Sequence, residues 1–207
     1  MTGGVAVSVV VPVKDEAGNV GPLAREIAAA LRGEAHEIVF VDDGSSDTTA
    51  EELQVLKAEI PALRVLRHGR NLGQSRGIRS GVVAARGDII VTLDGDGQND
   101  PADIPKLLVL LRADPTLGMV SGVRVKRRDK TSRRLASRLG NRFRNAMLGD
   151  GASDTGCGLK AFHRDMFLAL PYFDHMHRFL IALAQREGWK VAYVPVNHRP
   201  RLQGASK

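Results

Sequence analysis

Short apolar runs alternate with amphipathic stretches through the first 123 residues of the chain. The run Val7–Val13 is rich in β-branched residues and too short for a helix, so it predicts a buried strand. Between such runs, apolar residues recur with the three- and four-residue spacing of one helix face. The pattern predicts strands at 7–13, 37–41, 63–67, 89–93 and 118–123, and helices at about 20–31, 48–59, 72–85 and 101–111. This alternation indicates an α/β fold, a single domain with a doubly wound, mostly parallel sheet flanked by helices.

Two of the predicted helices carry start signals. Thr48 and Glu51 have the spacing of a capping box, and Asp100 is a cap residue directly before Pro101. We therefore expect one helix to begin at Thr48 and another close to Pro101.

The pattern is less regular after residue 123. In one stretch an apolar residue recurs every four positions, and an arginine directly precedes three of these residues. This spacing predicts a basic amphipathic helix. Its apolar stripe would contain Leu135, Leu139, Phe143 and Met147, and the parallel basic stripe would contain Arg134, Arg138 and Arg142. A further helix is predicted over 176–187 and a strand over 191–194.

Composition is consistent with one soluble folded unit. The 207 residues are 43% hydrophobic, enough for a full core. The single Cys157 excludes an internal disulfide and favours a reducing compartment, and we expect its thiol to be a small buried side chain. No signal peptide is predicted, and the apolar runs are far shorter than the ~20 residues of a membrane span.

Positive charge is concentrated in one segment. Residues 124–144 contain ten Lys or Arg and one acid, Asp129, a net charge of +9, whereas the whole chain carries +7 and the remainder therefore −2. This predicts an anionic partner near one surface, with about half of these charges solvated on a helix face. The pI near 10 also suggests a nucleic-acid-binding module, but only 4% of the residues are aromatic and few stacking platforms are available.

Acidic residues follow three of the predicted strands. Asp94 and Asp96 stand two residues apart directly after the fourth strand, and hard carboxylate oxygens suit Mg²⁺ or Mn²⁺. Acids also follow the first strand, in 12–16, and the second, in 42–47. Because the carboxyl ends of parallel strands share one edge of a sheet, we expect these clusters to converge on a ligand site. For Asp47, a role as a helix cap is the favoured interpretation.

These motifs, in order and with suitable spacing, resemble those of family-two glycosyltransferases. The resemblance covers essentially the whole chain and is greatest to the polyprenyl-phosphate sugar transferases, the dolichyl-phosphate mannose synthase-like group. The principal motifs are Val9–Glu16, Val41–Asp47, Asn71–Gly73 with Arg76–Gly77, and Asp94–Pro101. Supporting segments are Val120–Arg124, Asp154–Lys160, His198–Arg201 and Gly204–Lys207. The sequence departs from the family at Gly95 and Gly97, where Ala and an apolar residue are common.

The resemblance implies the GT-A fold and a role for each matching residue. It assigns nucleotide-sugar binding to Pro12, Val13, Glu16, Asp42, Asp43 and Asp94, and Mg²⁺ or Mn²⁺ binding to Asp94, Asp96 and Gln98. It assigns catalytic roles to Asp96, Arg124, Arg134 and Asp154. It assigns contacts with donor or acceptor phosphates to Arg124, Arg134, Arg201, Ser206 and Lys207. His177 and Arg178 border the acceptor region of relatives, although the histidines are otherwise interpreted as structural.

The implied activity is transfer of a hexose, with inversion, from a UDP- or GDP-linked sugar to a dolichyl or undecaprenyl phosphate. Residues 1–123 would form the nucleotide-sugar half and 124–207 the acceptor half, at the cytoplasmic face of a membrane with peripheral contact. The family commonly continues into transmembrane helices, so a membrane region beyond residue 207 is expected to be absent from this chain. There are three alternatives: the same fold with a saccharide or protein acceptor, an inactive nucleotide-binding scaffold, and the nucleic-acid-binding module. The identity of the sugar, the identity of the base and the oligomeric state stay open.

Overall fold

The computed structural model describes residues 4–125 and 154–201, which form one seven-stranded sheet with helices on both faces. The strands are β1 (Val7–Val13), β2 (His36–Asp42), β3 (Leu63–Arg67), β4 (Ile89–Thr92), β5 (Leu117–Arg124), β6 (Lys160–His163) and β7 (Lys190–Val196). The helices are α1 (Val20–Ala30), α2 (Thr49–Glu59), α3 (Gln74–Ala84), α4 (Ile104–Ala113), α5 (Arg164–Ala169) and α6 (Leu180–Arg186). Short 3-10 turns occupy Pro101–Asp103 and Met176–Arg178.

The strand order is β3-β2-β1-β4-β6-β5-β7. β1 pairs in parallel with both β2 and β4, so the direction in which the sheet is built reverses between β1 and β4. In open α/β sheets ligands bind at such a reversal, beyond the carboxyl ends of the strands. The predicted doubly wound, mostly parallel sheet is confirmed.

β6 is the strand that the apolar pattern did not predict. It is only four residues long, lies antiparallel between β4 and β5, and pairs Lys160 with Thr92 on one side and Ser121 on the other. Its position depends on two long-range pairings that a local pattern cannot reveal. The single helix predicted over 176–187 is wrong, because Phe179 separates a 3-10 turn from α6.

The capping box predicted at Thr48 is not formed. Thr48 is the residue before α2, but its hydroxyl donates to Glu52 Oε1 and caps no backbone amide. Asp47 instead accepts the first amide, that of Thr49, and also the amide of Ala17. The second start signal is confirmed, since Asp100 accepts a hydrogen bond from the amide of Ala102.

Alternate residues of the central strands supply two apolar layers. In β1, Val9 and Val11 pack with α1, α2 and α4 on one face, whereas Val10 packs with α3, α5 and α6 on the other. Both faces of the strand are therefore buried, which explains its continuous apolar sequence. Within the described residues, no helix has the length and apolar character to cross a bilayer. The predicted basic helix with Arg134 and its apolar stripe lies outside the described residues.

A buried carboxylate anchors the end of the sheet remote from the acidic clusters. Glu37 accepts hydrogen bonds from Ser8 Oγ, the amide of Arg86 and the guanidinium of Arg64. Burial by itself would raise the pKa of Glu37, but these three donors outweigh it and hold the pKa below its usual value. The network ties β1, β2 and the connection after α3 together.

Two glycines let α3 approach β1 closely. A Cβ added to Gly81 would lie 2.3 Å from Val10 Cγ1, and one added to Gly77 would lie 3.0 Å from Pro12 Cβ. The helix therefore rests almost against the strand backbone. This approach fixes the position of Gln74 and Ser75 in the first turn of α3, at the carboxyl edge of the sheet.

We expect Gly81→Ala to lower the free energy of unfolding by about 1–2 kcal/mol. Overpacking against Val10 costs about 1–3 kcal/mol, and the better helix propensity of alanine recovers up to about 1 kcal/mol of it. Val83→Ala, at an exposed position of the same helix, is the control and should not destabilise. Urea unfolding of both variants measures the difference; a Gly81→Ala protein as stable as the wild type would contradict the close approach.

Candidate active site

The acidic clusters converge at the carboxyl edge of the sheet. A cavity of about 390 Å³ opens between the residues that follow β1, β2 and β4. It is lined by Pro12, Val13, Lys14, Glu16, Asp43, Asn71, Gly73, Gln74, Asp94, Gly95 and Asp96. The structure therefore brings together most of the residues to which the sequence assigned nucleotide-sugar binding. Asp42 is fully buried behind this lining.

The carboxylate of Asp42 is held within the protein. Its Oδ1 accepts the amide of Ser45 at 2.9 Å, and its Oδ2 lies 3.2 Å from Nε of Arg67 without a well-aligned hydrogen bond. Arg67 itself is more than half exposed, so this partner can move. A polar ligand group that replaced Arg67 would find a buried acceptor.

Asp43 organises the loop that leads into α3. It accepts the amides of Leu72 at 2.9 Å and Gly73 at 2.7 Å, and a ring nitrogen of His68 lies 2.7 Å from Oδ1. The left-handed backbone of Gly73, with φ +88°, is thereby stabilised immediately before the helix. Asp43 is near the cavity as predicted, but its oxygens position the loop.

Asp94 and Asp96 face the same cavity. Gln74 Nε2 donates to Asp94 Oδ1 at 2.8 Å, and Asp96 Oδ1 accepts the amide of Gln98 at 3.1 Å. Burial and the neighbouring charge of Asp96 raise the pKa of Asp94, against the opposing influence of Lys160. The two carboxylates thus lie close enough to repel each other when both are ionised.

A divalent cation fits this pair. Two hard carboxylates line one cavity, and a cation bound by both would relieve the repulsion between them. Among the described residues, no three His, Cys, Asp or Glu side chains form a complete metal site. The remaining ligands must come from Gln98, water or oxygens of a bound substrate, which suits Mg²⁺ or Mn²⁺.

Glycines make room for this arrangement. A Cβ on Gly158 would lie 2.2 Å from Asp94 Oδ2, and one on Gly95 would lie 2.4 Å from Val13 Cγ1. Gly97 has a φ of +72°, a left-handed conformation that favours glycine. The two departures from the family at Gly95 and Gly97 are thus explained by close packing and by backbone conformation.

A second cavity, of about 480 Å³, adjoins the first, and both are lined by Gln74 and Asp94. Its other lining residues come mainly from two segments, Asp154–Lys160 and His177–Leu180. Asp94 thus stands where a ligand on the nucleotide side would meet a ligand from the opposite side.

Lys160 is a buried lysine in the second cavity that sequence reasoning did not single out. It is 5% exposed, and its ammonium group donates to the carbonyl of Cys157. Burial lowers the pKa of Lys160, an effect that the charges of Asp94 and Asp154 oppose. One signal was present in the sequence, a single charged residue inside the apolar run 157–162. Gln74, the partner of Asp94, gave no comparable signal.

Arg124 and Asp154 form a bidentate ion pair beside this cavity. Arg124 Nε lies 2.7 Å from Oδ2 of Asp154, Nη2 lies 2.8 Å from Oδ1, and the Arg124 amide donates to Oδ2. Both side chains are largely buried, so removal of either would leave the other charge poorly compensated. The pair joins the end of β5 to the segment before β6, and its catalytic assignment stays a prediction.

The C-terminal described residues cover the acidic loop. The amide of Arg199 donates to the Gln98 carbonyl at 2.8 Å, and the Arg199 guanidinium lies 2.6 Å from Glu26 Oε2. Arg201 forms an ion pair with Glu16, so two residues predicted to contact substrate contact each other. Arg134, Ser206 and Lys207 lie outside the described residues.

His177 lines the second cavity and carries a depressed pKa. Burial, followed by the charge of Arg178, lowers the pKa of His177 to about 4. Its Nδ1 lies 2.6 Å from Ser75 Oγ, which also accepts the amide of His177. The imidazole is therefore neutral at pH 7 and joins the segment after α5 to the first turn of α3. His175, two residues earlier, is exposed.

We expect His177→Gln to flatten the acid limb of the stability curve. The folded His177 resists protonation, so between pH 6.5 and about 4 the unfolded chain binds the extra proton and stability falls as pH falls. One such group contributes a slope of up to about 1.4 kcal/mol per pH unit. Urea unfolding at several pH values measures the slope. His175→Gln should retain the wild-type slope, and equal slopes for wild type and His177→Gln would contradict the prediction.

Comparison with curated proteins identifies relatives of the whole described region. The undecaprenyl-phosphate 4-deoxy-4-formamido-L-arabinose transferase of Enterobacter sp. (strain 638) is 39% identical over 205 residues, which cover 97% of this chain and 62% of that protein. The corresponding protein of Edwardsiella ictaluri (strain 93-146) is 38% identical over the same shares. The chain thus spans about three fifths of the length of these relatives.

Solved structures share the fold. The mannosyltransferase PcManGT of Pyrobaculum calidifontis, in complex with GDP-Man and Mn²⁺, superposes with a TM-score of 0.72 at 23% identity, covering 98% of this chain and 58% of that one. This agreement supports the GT-A fold. Residues 8–170 match the profile of glycosyl transferase family 2. Since this match spans the edge of the sheet that carries the acidic pair, and well over half of the chain, the protein belongs to glycosyl transferase family 2.

Proposed function

We propose that the protein transfers a glycosyl group from a nucleoside diphosphate sugar to a polyprenyl phosphate. The observation that carries this proposal is the junction of two cavities at Asp94. One cavity is lined by the strand-end acids, and the other contains the buried Lys160. An anionic donor and an anionic acceptor would meet at this point.

The relatives support the proposal. Those from Enterobacter and Edwardsiella are named for an undecaprenyl-phosphate acceptor and a 4-deoxy-4-formamido-L-arabinose donor group. That group is a modified pentose, so the proposed reaction is defined by glycosyl transfer, and the hexose of the sequence-based expectation stays a prediction. The base, UDP or GDP, is left to experiment.

On the donor side, residues 1–123 would bind the nucleotide sugar. Asp42, Pro12, Val13 and Glu16 would border the nucleotide, and Asp43 would hold the adjoining loop. Asp94, Asp96 and Gln98 would bind Mg²⁺ or Mn²⁺. When bound, the cation supplies positive charge that stabilises the departing diphosphate.

On the acceptor side, residues 124–207 would bind the lipid phosphate. A phosphate monoester is already ionised at neutral pH, so an acceptor oxygen can attack the anomeric carbon without a protein base. The bond between that carbon and the diphosphate oxygen breaks, and the nucleoside diphosphate leaves with its electron pair. Lys160 and Arg178, both in the second cavity, would offset the repulsion between the two anions. Contacts from Arg124, Arg134, Arg201, Ser206 and Lys207 remain predictions.

A buried lysine in the second cavity favours an anionic acceptor over a saccharide or protein acceptor, which needs no second cation. A lipid acceptor implies a site of action at a membrane surface, and the cytoplasmic face of that membrane stays a prediction. A thermal-shift screen of UDP- and GDP-sugars with and without Mn²⁺ tests donor binding, because a tight ligand raises the melting temperature by mass action. Transfer to a water-soluble short-chain prenyl phosphate tests the acceptor. Failure of every nucleotide sugar to shift the melting temperature would refute the donor half of the proposal.

Asp96→Asn should leave the fold in place but weaken Mn²⁺-dependent nucleotide binding by at least about tenfold, because a carboxylate ligand becomes a neutral amide. Calorimetric titration with UDP and GDP, with and without Mn²⁺, measures this. Asp114→Asn removes an exposed carboxylate from a turn remote from the site and should bind as the wild type does. Unchanged affinity in Asp96→Asn would remove Asp96 from the metal site.

Gly158→Ala should impair the same metal-dependent binding, although it replaces none of the proposed metal ligands. The new methyl group would lie 2.2 Å from Asp94 Oδ2 and must displace the carboxylate or the loop. We expect a loss of about tenfold or more in Mn²⁺-dependent affinity. Gly69→Ala is the control, because a Cβ there meets no atom within 4 Å. If Gly158→Ala and Gly69→Ala bind the nucleotide with equal Mn²⁺-dependent affinity, the close contact between residue 158 and Asp94 is contradicted.

A further inference from the structure

An exposed aromatic and cationic surface flanks the second cavity. Tyr172 and Phe173 stand side by side on the turn after α5 and are 38% and 39% exposed. Leu72, 40% exposed, precedes Gly73, whose missing Cβ would lie 3.8 Å from Asp174 of the same turn. Arg76 and Arg79 of α3 complete the surface, which we call the Tyr172 patch and define as Leu72, Arg76, Arg79, Tyr172 and Phe173.

The two arginines of the patch share one aromatic ring. The guanidinium carbons of Arg76 and Arg79 each lie 5.4 Å from the centre of the Tyr172 ring, within cation–π range. Among the described residues, neither arginine side chain forms an ion pair or a hydrogen bond, and Arg79 Nη1 is buried without a partner. Two like charges are thus held together without a carboxylate to offset them.

Several other arginines of the described surface pair with carboxylates. Arg25 pairs with Glu59, Arg112 with Glu34, and Arg199 with Glu26. Among the described residues, Arg32, Arg70 and Arg86 are also exposed without an ion pair. Arg76 and Arg79 differ from them because two positive charges share one aromatic ring, and this concentration of charge favours an anionic partner.

The patch adjoins the mouth of the second cavity. Phe173 packs against Phe179, with ring centres 6.0 Å apart, and Phe179 lines that cavity together with His177 and Arg178. Ser75, in the same helix as Arg76 and Arg79, contacts His177. A surface resting on the patch would lie next to the opening through which an acceptor enters.

We propose that the Tyr172 patch docks the protein on an anionic lipid bilayer, an inference that rests on the proposed lipid acceptor. Tyrosine and phenylalanine side chains suit the headgroup region, and arginine adds attraction to anionic lipids. Three partly exposed apolar side chains form a surface much smaller than the roughly 800 Å² per partner of a standard protein interface. Both guanidinium groups cover the Tyr172 ring, which leaves a poor platform for stacking a nucleobase.

Vesicle co-sedimentation of the 207-residue chain tests the proposal. The vesicles contain phosphatidylcholine with or without phosphatidylglycerol, at low and high salt. We expect binding to the anionic vesicles at low salt, and a partition coefficient lower by at least about tenfold in Arg76→Gln/Arg79→Gln. Tyr172→Ala/Phe173→Ala should weaken binding that persists at high salt. Arg32→Gln/Lys57→Gln removes the same charge from exposed positions elsewhere and should bind within about twofold of the wild type.

Fluorescence locates the contact directly. The wild type has one tryptophan, Trp189, on the turn before β7. Phe173→Trp adds a second at the patch, and lipids brominated near the headgroup should quench the added emission while leaving that of the wild type unchanged. Equal quenching in both proteins would contradict the proposal that the Tyr172 patch contacts the bilayer. Equal vesicle binding by the wild type and Arg76→Gln/Arg79→Gln would contradict it as well.

Two further measurements separate this proposal from the proposed function. Calorimetric binding of inorganic phosphate in the absence of lipid should be the same in wild type and Arg76→Gln/Arg79→Gln; a loss in the variant would make the pair a soluble-anion site and overturn the docking surface. Transfer to a short-chain, water-soluble prenyl phosphate should be unchanged in the patch variants. If no prenyl phosphate accepts sugar yet the patch still governs vesicle binding, the acceptor assignment fails and the docking surface stands.

Discussion

The close placement of two carboxylates, Asp94 and Asp96, at the carboxyl edge of the sheet is the constraint around which the site is organised. The carboxylate of Asp94 stands at the end of a four-residue strand, between Gln74 of α3 and Gly158 of the segment before β6. Holding two carboxylates together at a partly buried edge costs free energy, and the pKa of Asp94 is raised by its partial burial and by the charge of Asp96. The surroundings reduce the cost only in part, through the amide of Gln74 and the charge of Lys160. A cation bound by both carboxylates would reduce the cost further, and it would also suit the proposed nucleoside diphosphate donor.

The position of Gln74, which donates a hydrogen bond to Asp94, depends on packing farther along α3. Gln74 can reach Asp94 because α3 lies close to β1 over Gly77 and Gly81. Asp43 fixes the loop before the helix by accepting two backbone amides. Asp43 thus lines the cavity and orients this loop, and its assignment to nucleotide-sugar binding stays a prediction.

The second half of the chain supplies the opposite wall of the junction. β6 enters the sheet between β4 and β5 and carries Lys160 to the side of Asp94. The Arg124–Asp154 pair joins the end of β5 to the segment that precedes β6. The segment after α5 contacts the first turn of α3 through Ser75 and His177, so the aromatic turn, the arginines of α3 and the cavity mouth form one continuous surface. Membership in glycosyl transferase family 2 gives this arrangement its chemical context.

The sequence by itself determined the parallel strands, the helices between them and the convergence of the acidic clusters, because these follow from local apolar periodicity and from the rule that parallel strands end at one edge. Asp94 and Asp96 were found from the sequence for that reason. Only the tertiary structure decided that β6 lies between β4 and β5, that Gln74 and Lys160 approach Asp94, and that Arg201 meets Glu16. These contacts join residues distant in the chain, with no local signature beyond one lysine in an apolar run. The break at Phe179 was likewise hidden, because the same apolar spacing suits a continuous helix, whereas packing against α3 and the cavity required a turn.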